Sequence, residues 1–114
     1  MTAVVNLRHE YDDMQHGVAP ANYLHLPTYD NTAPSLAHLQ QGVKFIEEVA
    51  AQGGCVYVHC GVGVGRAPTL VAAYLVSSGM TPRDAWKTLR EVRPFILPVR
   101  SQVRRVEEYA RLYG

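Results

Sequence analysis

A chain of 114 residues, 47% hydrophobic and 18% charged, has the size of one domain and too much apolar character for disorder. Its formal charge of +1 shows no sign of the concentrated basic face that nucleic acid or an anionic membrane requires, so neither is expected as a partner. The longest apolar stretch, Ala67 to Val76, is about half of the ~20 residues a membrane span needs, and the first residues lack the layout of a signal peptide; both point to the cytoplasm.

No internal repeat, low-complexity tract or linker interrupts the sequence, and residues 1–114 read as a single domain. Ala3 to Leu7 is a short buried strand. Arg8 to Pro20 is polar and punctuated by glycine and proline, with room for one helical turn. Tyr23 to Leu26 forms a second strand. Pro34 opens a helix, where its missing N–H costs nothing, and Leu36, Leu39, Val43, Ile46 and Ala50 make its apolar stripe before Gly53-Gly54 ends it.

Cys55 to His59 is a third strand, followed by three glycines within Gly61–Gly65. A helix from about Ala67 to Ser78 is apolar nearly all round and therefore central. Thr81-Pro82 with Asp84 signals the start of another, carrying Ala85, Trp86, Leu89 and Val92 inward. Pro94 and Pro98 break the chain, and Val99, Val103, Val106, Tyr109 and Tyr113 stripe a last helix. Strands separated by helical segments imply an α/β fold, a small mostly parallel sheet flanked by helices. Cys55 and Cys60, five steps apart along extended chain, are separated by roughly 16 Å and cannot form a disulfide, which needs Cα atoms within about 7 Å.

Chemistry concentrates in Val58 to Thr69, which runs strand, glycine-rich loop, helix. Backbone N–H groups of such a loop turn inward, and the helix presents its positive end to the same place, making an anion site. Gly61, Val62, Gly63, Val64, Gly65 and Arg66 would cradle a phosphate there. Cys60 opens the loop as a nucleophile whose thiolate is favoured by the groups that hold phosphate, and Arg66 closes it with a planar fork that can grip two equatorial oxygens. The Gly-Lys-Ser/Thr ending of a nucleotide-binding loop is absent.

His59-Cys60, five residues, then Arg66 resembles the signature of the protein tyrosine and dual-specificity phosphatases, and the flanking sequence is most similar to the small dual-specificity members. The resemblance runs from Val4-Val5-Asn6-Leu7-Arg8 to Arg93-Pro94 and the last helix. It implies hydrolysis of phosphate monoesters through a phosphocysteine intermediate, with no metal and no cofactor. It also implies that Asp30, in Leu26-Pro27-Thr28-Tyr29-Asp30, protonates the leaving oxygen and then activates water, that His59 orients the loop, and that Gln102 positions the water. Phosphoinositide-directed members often carry lysines in the loop; Gly61 to Gly65 has none, so a phosphoprotein substrate is expected, phosphotyrosine foremost and phosphoserine or phosphothreonine next.

Two departures stand out. Most relatives place serine or threonine after the loop arginine, where it assists the departing sulfur; Ala67 stands here, and Thr69 or a water is the substitute to look for. Relatives also carry further strands before the segment resembling Ala3 to Leu7, one of which flanks the cysteine strand. Without it Cys55–His59 becomes a sheet edge, open to self-association. These departures keep a second reading in play, a catalytically weak module that binds phosphate. A rhodanese-like sulfurtransferase or an arsenate reductase also builds anion loops around cysteine, but Asp30 has no role in sulfur transfer.

The blander readings are simple. Asp30 makes an ordinary turn with Asn31-Thr32, Cys55 is a small apolar residue, and His9, His16, His25, His38, Asp12 and Asp13 are solvated without metal-ligand spacing. Arg93, Arg100, Arg104 and Arg105 form a basic cluster, either a solvated face or one that steers an acidic phosphopeptide.

Overall fold

Three parallel strands, β1 (Thr2–Arg8), β2 (Asn22–Thr28) and β3 (Cys55–His59), make a sheet in the order β2-β1-β3. The computed structural model describes residues 2–9, 22–60 and 65–114; the expected turn between Arg8 and Pro20 lies largely outside them. Ala3, Val5 and Leu7, which share one face of the central strand, are fully buried; on the opposite face Asn6 is buried and Val4 and Arg8 are half-buried. β1 pairs Asn6 with His25 and then Arg8 with Thr28, so Leu7 alone faces both Leu26 and Pro27. Pro27 has no N–H to give the ladder, and the bulge falls where that donor is missing.

Helix α1 (Leu36–Ala51) starts two residues later than proline chemistry suggests. Ser35 is its N-cap, accepting the His38 N–H on its hydroxyl at 3.1 Å, and Pro34 precedes the cap as a buried plug. The inward stripe is Leu39, Val43, Ile46 and Val49; Ala50 turns to solvent instead. Gly53, at φ 76°, takes the left-handed conformation that closes the helix.

Helix α2 (Arg66–Ser77) lies at the centre of the helical layer, with Leu70, Ala72 and Ala73 fully buried. Gly42 of α1 lets it approach closely: a Cβ there would come within 2.6 Å of the Leu70 Cδ1. Helix α3 (Pro82–Val92) begins on the expected cap, Thr81 accepting from the Asp84 N–H at 3.2 Å. Ala85 and Trp86 are buried, but Val92 is 75% exposed. It is the last residue of the helix, at the turn into Arg93-Pro94, and its side chain borders a groove rather than joining the core.

Helix α4 (Arg100–Tyr113) buries Gln102, Val106 and Tyr109, and Tyr109 shares a 2.8 Å hydrogen bond with Ser77 of α2. Val99 is its cap residue without a side-chain acceptor, and Tyr113 is 45% exposed against Tyr109. On the outer side of β3 no strand pairs among the described residues, and a groove of about 370 Å³ runs between that strand and helices α2 and α3. Cys55 is exposed, Cys60 is buried, and both are free thiols.

Candidate active site

The carboxyl ends of parallel strands are where such sheets hold their ligands, and each main candidate residue sits there. Cys60 follows β3, Arg66 opens α2, and Asp30 lies two residues beyond β2. Gly61, Val62, Gly63 and Val64, the expected phosphate cradle, lie outside the described residues.

Cys60 is 7% exposed, and its Sγ accepts the Ala67 N–H at 3.3 Å. That N–H belongs to the first turn of α2, whose leading amides have no partner within the helix, so the sulfur sits at the helix's positive end. Arg66 is buried, and its Nη1 donates to the Thr28 carbonyl at 3.0 Å. Its Nε lies 3.7 Å from Oδ1 of Asp30, whose side chain is 66% exposed. The loop arginine thus has one side fixed by backbone and another facing the candidate acid.

Asp30 stands in a tight turn. Thr32 donates from both its N–H and its hydroxyl to the Tyr29 carbonyl, at 3.2 and 2.6 Å. Asn31 takes the left-handed conformation at φ 61° that such a turn demands, and its N–H donates to the Asp30 carboxylate at 3.0 Å. The turn chemistry and the site role are therefore compatible: the turn is what aims Asp30 at Arg66.

Gln102 is buried, and its Oε1 accepts the Val99 N–H at 2.8 Å. Its Nε2 donates to the Thr32 carbonyl at 3.0 Å, tying α4 to the Asp30 turn. The same carboxamide lies against Gly65, where an added Cβ would meet Oε1 at 2.7 Å. His59 ends β3 opposite Asn6, half-buried, with its ring 5.5 Å from that of Tyr57. Thr69 does not stand in for the hydroxyl missing at Ala67: its Oγ1 donates to the Gly65 carbonyl at 2.7 Å and is buried there.

Two features escaped the sequence. The Thr28 carbonyl anchors Arg66, and a backbone oxygen leaves no mark in residue type. His9 and Tyr29 stack with ring centroids 3.9 Å apart, joining the ends of β1 and β2 beside Asp30; both are exposed, and nothing in their spacing announces the contact.

Residues 1–112 match the dual specificity phosphatase catalytic domain, and the chain belongs to that family. The small parallel sheet flanked by helices is the fold of its solved members. Over 78 residues the chain is 42% identical to phosphatidylglycerophosphate phosphatase PTPMT1 of Arabidopsis thaliana, covering 68% of this chain and 23% of that protein. Over 93 residues it is 39% identical to phosphatidylglycerophosphatase and protein-tyrosine phosphatase 1 of Mus musculus, covering 80% of this chain and 48% of the relative. The crystal structure of PTPMT1 in complex with PI(5)P superposes with a TM-score of 0.87 at 30% identity, covering 96% of this chain and 76% of that one. The chain thus spans less than half the length of these two curated relatives. Family membership also sets aside the sulfurtransferase and arsenate reductase readings.

Proposed function

We propose that the chain hydrolyses phosphate monoesters through a phosphocysteine. The Cys60 thiolate attacks phosphorus, and the S–P bond forms as the P–O bond to the leaving group breaks. Asp30 gives its proton to that departing oxygen and Arg66 holds the equatorial oxygens. Asp30 then takes a proton from water, whose oxygen attacks phosphorus; the S–P bond breaks, releasing inorganic phosphate and the thiolate. Gln102 holds the acid's turn against the phosphate loop. The observation that carries this reading is the convergence of Cys60, Arg66 and Asp30 on one rim, with the sulfur on a helix N–H and the arginine 3.7 Å from the acid.

The substrate class we propose is a glycerophospholipid with a single terminal phosphomonoester. Relatives named as phosphatidylglycerophosphate phosphatases support it. The loop that argues against polyphosphorylated headgroups does not argue against this one, because a lone phosphomonoester brings no extra phosphates for lysines to meet. In this reading the phosphoprotein expected from the loop takes second place. The test compares inorganic phosphate release from phosphatidylglycerophosphate in mixed micelles, from a phosphotyrosyl peptide and from p-nitrophenyl phosphate, with Cys60→Ser as control. Greater kcat/KM on the lipid supports the substrate proposal; greater kcat/KM on the peptide overturns it and leaves the chemistry standing.

A second reading, a phosphate-binding module with weak turnover, draws on one observation: neither Ala67 nor Thr69 offers a hydroxyl to the Cys60 sulfur. Folded protein that binds phosphate but releases none from any of the three substrates would favour it.

A further inference from the structure

We propose that the connector between α3 and α4, residues 92–100, docks the protein on an anionic lipid surface. Three large apolar side chains stand out of it: Val92 at 75% exposure, Phe95 at 57% and Leu97 at 73%. Ile96, 2% exposed, is the connector's one buried residue, the Val99 N–H is held by Gln102, and Pro94 and Pro98 restrict the backbone. Exposed phenylalanine and leucine held on a restrained segment lose little conformational freedom on insertion, so most of the apolar burial becomes binding.

Charge selects the partner. Seven of the chain's eleven basic residues and two of its ten acidic ones fall between residues 83 and 105. That segment carries a formal charge of +5, and the rest of the chain carries −4, so the near-neutral total conceals an uneven distribution of charge along the chain. Arg93 and Arg100, both exposed, bracket Phe95 and Leu97, and Val92 stands directly before Arg93. Apolar groups flanked by arginines match the acyl boundary and the anionic headgroups above it. Among the described residues no helix is long and apolar enough to cross a membrane.

The connector also leads straight to the site. Two residues beyond Arg100, Gln102 lies against Gly65 and bonds the Asp30 turn. At its other end Arg93 and Ile96 line the groove beside Ala67, whose N–H holds the Cys60 sulfur. A bilayer under the connector would hold the phosphate loop near the headgroups.

The inference stands apart from the substrate proposal and is tested without substrate, by sedimentation with vesicles that contain no phosphomonoester. Phosphatidylcholine vesicles with and without phosphatidylglycerol are compared for the parent, for Phe95→Ser/Leu97→Ser and for Arg93→Gln/Arg100→Gln. The parent binds the anionic vesicles, and more weakly as salt is raised. Each pair of substitutions lowers the partition coefficient about tenfold or more, while hydrolysis of soluble p-nitrophenyl phosphate is unchanged, which shows that the variants are folded. No binding by the parent, or binding equal on neutral and anionic vesicles, overturns the proposal. So does binding that survives both pairs. Dissociation of a parent oligomer by Phe95→Ser/Leu97→Ser, without vesicle binding, reassigns the patch to a protein interface.

Discussion

The Gln102 carboxamide stands where a side chain on residue 65 would begin: Oε1 would lie 2.7 Å from a Cβ and Nε2 2.9 Å. The amide cannot swing aside cheaply, because it accepts from Val99 and donates to Thr32. Gly65 is required here for the room it leaves, since its φ of −140° is open to any residue.

Gly65→Ala should therefore displace Gln102 and cost its two hydrogen bonds, about 1–3 kcal/mol of stability together. Activity on an alkyl phosphate, which depends on the Asp30 proton, should fall as the Asp30 turn loses its tie. Adding Gln102→Ala to Gly65→Ala should recover part of the stability lost by Gly65→Ala, a coupling that a thermal denaturation cycle reads directly. Strict additivity would mean that the two residues are not in conflict.

Asp30→Asn removes the proton donor and keeps the turn, since Asn also accepts from the Asn31 N–H. The loss in kcat/KM should depend on the leaving group. For an alkyl phosphate, whose alkoxide departs poorly unprotonated, the expected loss is about 10²–10⁴-fold. For p-nitrophenyl phosphate it should be much smaller. A uniform loss across a series of leaving groups would take the acid role from Asp30.

Ala67→Ser restores a hydroxyl one residue from the Arg66 clamp. With the Thr69 hydroxyl committed to the Gly65 carbonyl, breakdown of the phosphocysteine is the step expected to lag in the parent. Rapid mixing with p-nitrophenyl phosphate should show a burst of one product per site and then a slower steady state. In Ala67→Ser the steady state should rise by about tenfold, the worth of a hydrogen bond to a charged group, and the burst should shrink. A linear parent time course would show that the missing hydroxyl is not limiting.

Tyr57 stands 58% exposed on β3, the strand whose outer side is unpaired among the described residues. Sedimentation should show an average mass that grows with protein concentration. Tyr57→Lys, which places a charge on the edge, should hold it at the monomer value. A parent that stays monomeric at high concentration would mean that the edge is protected.

What the sequence made legible follows from how each signal is written. Helices α1 to α4 carry apolar stripes in residue type, and the Thr81 cap is spelled out in its hydroxyl and in Pro82. Cys60, Arg66 and Asp30 were legible through the motif and the family it resembles. The fold places them together because the ends of β2 and β3 and the start of α2 share one rim. The Pro34 start failed for a local reason: a serine one step on offers a stronger cap than proline offers a first turn. Val92 failed because periodicity cannot say where the covering partner ends. Net charge hides a similar unevenness, because it averages a +5 segment against a −4 remainder.

The contact between Arg66 and Thr28 has a consequence for how this enzyme family member can drift. The anchor is a main-chain oxygen, which every amino acid supplies alike. Mutation at position 28 is then filtered by volume, since the residue is 5% exposed, and not by the chemistry of the clamp. The two ends of this contact therefore stand under unequal constraint. On the proposed mechanism position 66 requires a guanidinium, while position 28 keeps only its volume and its own buried hydroxyl, which donates to the Leu26 carbonyl at 3.1 Å.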